Sequence, residues 1–212
     1  LGLLGDLLLK APFNVTSIRD PGTVERVHFL DCLALLDLET VRTSRRVVDI
    51  GSGAGFPALV IALALPSTTI TAVESQRKKC GFIEGAARAM SLDNVEIRCQ
   101  RVEEYGRTAR RETHDLAVSR ALARLAVVAE YSFPLLELGG TMIAMKGLIS
   151  DEERIQAEQA LGILGGSGLQ PMRLEPFAGA ENRWLYLAQK QRATPASYPR
   201  RPGVAVRRPL GA

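Results

Sequence analysis

Val47-Val48-Asp49-Ile50-Gly51-Ser52-Gly53-Ala54-Gly55-Phe56-Pro57 decides how this chain reads. A short apolar run ends in an acid, three glycines alternate with small residues, and an apolar pattern resumes. That is the pattern of a buried strand, a tight turn and a helix N-terminus. Glycines there let the backbone take positive φ and let a ligand approach with no Cβ in the way. A dinucleotide-binding loop would place its third glycine at position 56, for close helix–strand packing under a pyrophosphate. Here Phe56 and Pro57 stand at that point, and the third glycine comes one residue early. The spacing of Gly51, Gly53 and Gly55 after Asp49 fits a loop for S-adenosylmethionine, which presents an amino acid, a ribose and an adenine but no phosphate. A nicotinamide-dependent dehydrogenase and a strand–turn–helix with no ligand are the competing readings.

The residues downstream favour the first. Thr69-Ile70-Thr71-Ala72-Val73 is a strand by its β-branched content and ends in Glu74, where an acid can accept both ribose hydroxyls. A third strand, Asn94 to Cys99, leads into Arg101-Val102-Glu103-Glu104. In a doubly wound sheet ligands sit beyond the strand C-terminal ends, so the three loops converge. Strands are expected near residues 46–50, 69–73, 94–99, 114–118, 140–146, 170–175 and 183–189. Helices are expected near 56–64, 76–91, 102–110, 123–138 and 150–164. The alternation predicts an α/β fold: a Rossmann-like, seven-stranded, mostly parallel sheet with helices on both faces. No good helix separates the last two strands, so they should form an antiparallel hairpin at one edge. Three regions are expected: an N-terminal helical extension over residues 1–45, a methyltransferase domain over 46–190, and a basic C-terminal tail over 191–212.

Composition sets the outer bounds. The chain has 212 residues, 46% hydrophobic and 24% charged, enough for one sizeable α/β core. No apolar stretch approaches the roughly 20 residues that span a bilayer. Leu1 to Leu9 contains Asp6 and lacks the marks of a signal peptide. It reads as the middle of an amphipathic helix, so the natural N-terminus is expected to be trimmed. Cys32, Cys80 and Cys99 match neither a zinc pattern nor a disulfide framework and read as small hydrophobes in a reducing cytoplasm. His28 and His114 have no partner at metal-ligand spacing in the sequence, and no metal is expected. The net charge is +4, and from Lys190 to the end there are six Lys or Arg and no acid. An acid-free basic stretch broken by Pro and Gly suits a phosphate backbone, so Arg200 and Arg201 are expected to touch RNA.

With these residues in hand, the chain resembles the glucose-inhibited division protein B family, the methyltransferase G group of the small ribosomal subunit. The matching stretches are Asn14-Val15-Thr16-Ser17-Ile18-Arg19-Asp20-Pro21, His28-Phe29-Leu30-Asp31, Asp49 to Pro57, Arg101-Val102-Glu103-Glu104, Ser119-Arg120-Ala121, Ala144-Met145-Lys146-Gly147 and Tyr198 to Gly203. They run in order along nearly the whole chain. Departures are Ala11-Pro12-Phe13 in place of a tryptophan–asparagine run, Cys32 where Ser is common, and a shortened first helix.

The resemblance implies a class I S-adenosylmethionine-dependent methyltransferase that modifies guanine N7 in 16S ribosomal RNA, in the 530-loop region. It implies a cofactor site of Gly51, Phe56, Val102, Glu103 and Arg120, to which the reading of the glycine loop adds Asp49, Gly53 and Gly55 and the ribose argument adds Glu74. Arg120, Lys146 and Arg101 are the candidate catalytic residues. Asn14, Arg183, Arg200 and Arg201 are the candidate RNA contacts. A cytoplasmic monomer acting on 16S RNA or a small-subunit precursor is expected. Guanine N7 already carries a lone pair, so the transfer needs alignment more than a general base. That accords with the absence of a His/Asp or Cys/His pair. An enzyme methylating an adenine amine would instead show an Asn/Asp-Pro-Pro-Tyr/Phe motif where Ser119-Arg120-Ala121 stands. A methyltransferase on another RNA or a small molecule, and a non-enzymatic RNA-binding or assembly module, remain the alternatives. Intact Gly51, Gly53, Gly55 and Glu74 argue against the module.

Overall fold

A computed structural model describes residues 1–11 and 20–212. Seven strands, β1 (Arg46–Ile50), β2 (Thr69–Glu74), β3 (Val95–Cys99), β4 (His114–Arg120), β5 (Leu136–Lys146), β6 (Gln170–Arg173) and β7 (Trp184–Gln189), form one sheet in the order β3-β2-β1-β4-β5-β7-β6. The first five pair in parallel, and β7 runs antiparallel to both β5 and β6. The edge hairpin is thus present, with β7 inserted between β5 and β6. Strand order reverses between β1 and β4, and a doubly wound sheet opens its ligand crevice at that switch point.

Period-two alternation along β1 sends Val47 to one face and Val48 and Ile50 to the other. On the first face, the helices Ala58–Ala64 and Arg77–Ala89 pack together with the N-terminal residues Leu4, Leu8, Phe29, Cys32, Leu35 and Val41. On the second face, the helices Leu125–Ser132 and Asp151–Leu164 cover Val48, Ala117, Met142 and Tyr186. The N-terminal extension is therefore a layer of the fold, and it carries His28 and Asp31 to the open end of the sheet.

Some boundaries moved. The helix expected over 123–138 ends at Ser132, and β5 begins at Leu136. The helix expected over 102–110 stops at Tyr105. Residues 21–43, part of the expected helical extension, form a chain of short α, π and 3₁₀ turns.

The C-terminal segment corrects the expectation of a separate tail. Arg200 donates from Nε to Oε1 of the fully buried Glu130 at 2.9 Å, and its Nη2 bonds Oε2 of the same carboxylate. Arg111 donates to the carbonyls of Thr194 and Tyr198, and Arg107 to that of Pro199. Lys190, 1% exposed, pairs with Glu112 at 2.6 Å and donates to the carbonyls of Phe133 and Leu136. Ala205 lies in the core of the second face. Much of the basic composition read as field for a nucleic acid is spent on internal partners.

Candidate functional site

The glycine loop is held from below and behind. Asp49 is fully buried at the end of β1, and its Oδ2 accepts from the Ala58 N–H at 3.2 Å, at the start of the following helix. Burial pushes its carboxyl up to about 7, against hydrogen bonding with Ser52 and Ala58 and the charge of Arg120. Gly51 has φ +69°, and a Cβ there would stand 2.5 Å from Leu122. Gly53 has φ +60°, and a Cβ there would meet nothing closer than the Gly51 carbonyl oxygen, at 3.9 Å. The Gly53 N–H donates to Glu74 Oε2 at 3.0 Å, while the Gln76 N–H reaches Oε1 of the same carboxylate at 2.8 Å. Glu74 thus ties the glycine loop to the turn after β2 and keeps lone pairs free toward the crevice.

A cavity of about 430 Å³ opens beyond the ends of β1 to β4. Gly51, Gly53, Glu74, Arg101, Val102, Glu103 and Arg120 of the expected site residues line it. Asp49, Gly55 and Phe56 do not; they lie behind the wall, where Asp49 anchors the helix start and a Cβ on Gly55 would meet Leu59 at 2.6 Å. Sequence reasoning missed Tyr131 and Val206. Glu103, 2% exposed, accepts at Oε1 from the Tyr131 hydroxyl at 3.1 Å and from the Gly203 N–H at 2.9 Å. The C-terminal segment is therefore a wall of this cavity. Its size, the glycine without a Cβ and the carboxylate of Glu74 fit an adenosyl group joined to an amino acid.

A second cavity, of about 290 Å³, adjoins the first, and Arg120 and Ala121 belong to both. Met145, Leu174, Trp184 and Leu185 give it apolar walls, and Asp31, Lys146, Asn182 and Arg183 give it polar ones. Arg120 is fixed between the cavities. It donates to the Val27 carbonyl at 3.1 Å and to His28 Nδ1 at 2.9 Å, and lies 5.1 Å from the centre of the Phe56 ring. A guanidinium has no acceptor, so His28 Nδ1 accepts and its proton sits on Nε2. Burial first, then the charge of Arg120, pull the His28 pKa down to about 4, so the ring is neutral at pH 7. It stacks on Phe56 at 4.8 Å between ring centres. The HFLD stretch was visible in the sequence, but nothing local said that His28 would meet Arg120, 92 residues later.

The remaining expected residues divide. Lys146 reaches the second cavity but is held by the Ala123 carbonyl at 2.6 Å and Glu153 at 3.1 Å. Arg183 lines the same cavity and donates from Nε to Asp31 Oδ2 at 3.0 Å. Arg101 is exposed at the rim of the first cavity. Arg200 is half-buried against Glu130, Arg201 is exposed, and Asn14 lies outside the described residues. Among the described residues no cluster of His, Cys, Asp and Glu could hold a metal, and no helix is long and apolar enough to cross a membrane.

A glycine-loop crevice at the switch point of this seven-stranded sheet defines a class I S-adenosylmethionine-dependent methyltransferase. A solved S-adenosylmethionine-dependent O-methyltransferase from Thermotoga maritima shares the fold, with a TM-score of 0.62 and 17% identity over 89% of this chain and 71% of that one. The model of the GidB family, rRNA small subunit methyltransferase G, matches residues 7–174, and the chain belongs to that family. A relative named Ribosomal RNA small subunit methyltransferase G from Moorella thermoacetica is 40% identical over 198 residues, covering 93% of this chain and 82% of the relative. One of the same name from Chloroflexus aggregans is 40% identical over 202 residues, covering 93% and 83%.

Proposed function

We propose that the protein transfers a methyl group to N7 of a guanine in 16S ribosomal RNA, in the 530-loop region. The observation that carries this reading is the pair of cavities meeting at Arg120 and Ala121, the larger of which we assign to the cofactor and the smaller to a planar base. S-adenosylmethionine, when bound, supplies an electrophilic methyl group on a sulfonium. The smaller cavity receives a base taken out of its stack, as enzymes acting on nucleic-acid bases require. Its apolar walls hold the ring plane and exclude water, which aligns N7 for in-line attack. No proton leaves N7, so the site needs no base, and neutral His28 serves to position Arg120.

Arg120 cannot grip N7, because that bond would occupy the attacking lone pair. Its remaining N–H groups hold guanine O6 or the cofactor carboxylate. Arg101 and Arg201, exposed near the crevice and on the C-terminal segment, meet phosphates. Both cavities are built within one chain, so a monomer completes the site, and the substrate places the enzyme in the cytoplasm.

The test is to map modified nucleotides in 16S RNA from cells lacking this protein and to add the purified enzyme back. Loss of one N7-methylguanine, restored in vitro with S-adenosylmethionine, is expected. An unchanged modification pattern would sink the proposal.

A further inference from the structure

Asp31 is 5% exposed, lines the smaller cavity and has no place in the chemistry described so far. Arg183 occupies Oδ2 at 3.0 Å, while Oδ1 is buried with no hydrogen-bond partner among the described residues. A buried acceptor left unpaired is a standing cost, and a carboxylate oxygen has two lone pairs to fill. Burial holds the Asp31 carboxyl above its ordinary value, opposed by the charge and hydrogen bond of Arg183 and by the charge of Arg120. Asp31 belongs to this cavity alone, whereas Arg120 and Ala121 are shared with the cofactor cavity.

We infer that Asp31 selects guanine by accepting hydrogen bonds from N1–H and the N2 amino group of the flipped base. This rests on the proposed guanine methylation. Among the four RNA bases, only guanine presents two adjacent donors on its Watson–Crick edge. Adenine offers an unprotonated N1 there, cytosine an unprotonated N3, and uracil a single N–H flanked by carbonyls. A carboxylate facing any of these loses a hydrogen bond or meets a lone pair. Arg183 acts here as a positioning residue, holding the carboxylate by one oxygen and leaving the other to the base.

The experiment compares guanine with inosine, which lacks the N2 amino group, at the target position of 16S RNA reconstituted into small ribosomal subunits. Wild-type enzyme and Asp31→Asn are assayed by single-turnover methylation, with S-adenosylmethionine affinity measured by calorimetry. For the wild type, inosine should lower kcat/KM about tenfold or more, as expected for a lost bond to a charged acceptor. Asp31→Asn should lose about tenfold to a hundredfold on guanine, no longer distinguish inosine, and bind the cofactor as before. Equal wild-type rates on guanine and inosine, unaltered discrimination in the variant, or loss of cofactor affinity in the variant would each overturn the assignment. Failure of the wild type to methylate guanine at all would instead sink the function on which it rests.

Discussion

The floor of the cofactor cavity and its outer wall are built by opposite means. The floor is local: Asp49 caps the helix nine residues on, and Gly53 bonds Glu74 21 residues on. The wall is assembled from distant chain. Gly203 bonds Glu103 across 100 residues, Arg200 bonds Glu130 across 70, and Arg107 bonds the Pro199 carbonyl across 92. A local turn declares itself through glycine spacing. A long-range wall is made of ordinary Arg and Glu residues whose meaning depends on what the fold sets opposite them.

Gly53→Asp strikes the floor and should have the largest effect. The Cβ meets nothing closer than the Gly51 carbonyl oxygen at 3.9 Å, and Asp is among the residues that adopt this left-handed backbone, so the fold should survive. The added carboxylate enters the cavity, and calorimetry should show S-adenosylmethionine affinity falling beyond detection with an unchanged melting temperature. Cofactor binding near the wild-type level would remove the loop from the site.

Arg200→Met strikes the wall. It leaves Glu130 buried without its charge partner, and breaking such a pair costs roughly 3–5 kcal/mol. Denaturant unfolding should show that loss, partly recovered in the double variant with Glu130→Gln. A change below about 1 kcal/mol would make Arg200 a surface cation after all.

Glu74→Ala sharpens the floor further. It removes the acceptor of two backbone N–H groups and the acceptor proposed for the ribose, and one bond to a charged group is worth roughly 1.5–3 kcal/mol. The cofactor Kd should rise about tenfold or more. A rise below twofold would reduce Glu74 to a brace for the loop.

The smallest effect belongs to Arg201, exposed on the outside of the wall. Arg201→Ala should flatten the salt dependence of RNA binding by about 0.7 log units of slope, with stability and cofactor affinity unchanged. An unaltered slope would place the RNA path elsewhere on the molecule.

The sequence by itself determined the α/β order and the edge hairpin, and it pointed to the end of the sheet where the larger cavity opens. Strand periodicity, turn glycines and the acid after β2 are short-range signals, and their physics is complete within one supersecondary unit. It also presented Arg120 and the HFLD stretch without saying that they meet. Tertiary structure alone decided that Arg200 and Lys190 face inward, that His28 supports Arg120, and that Asp31, a residue of the second cavity, keeps an oxygen with no partner among the described residues. A charge in a sequence carries no record of its partner. Whether it screens a phosphate, braces a buried carboxylate or waits for a base is settled by the elements that close around it, and those come from the far side of the chain.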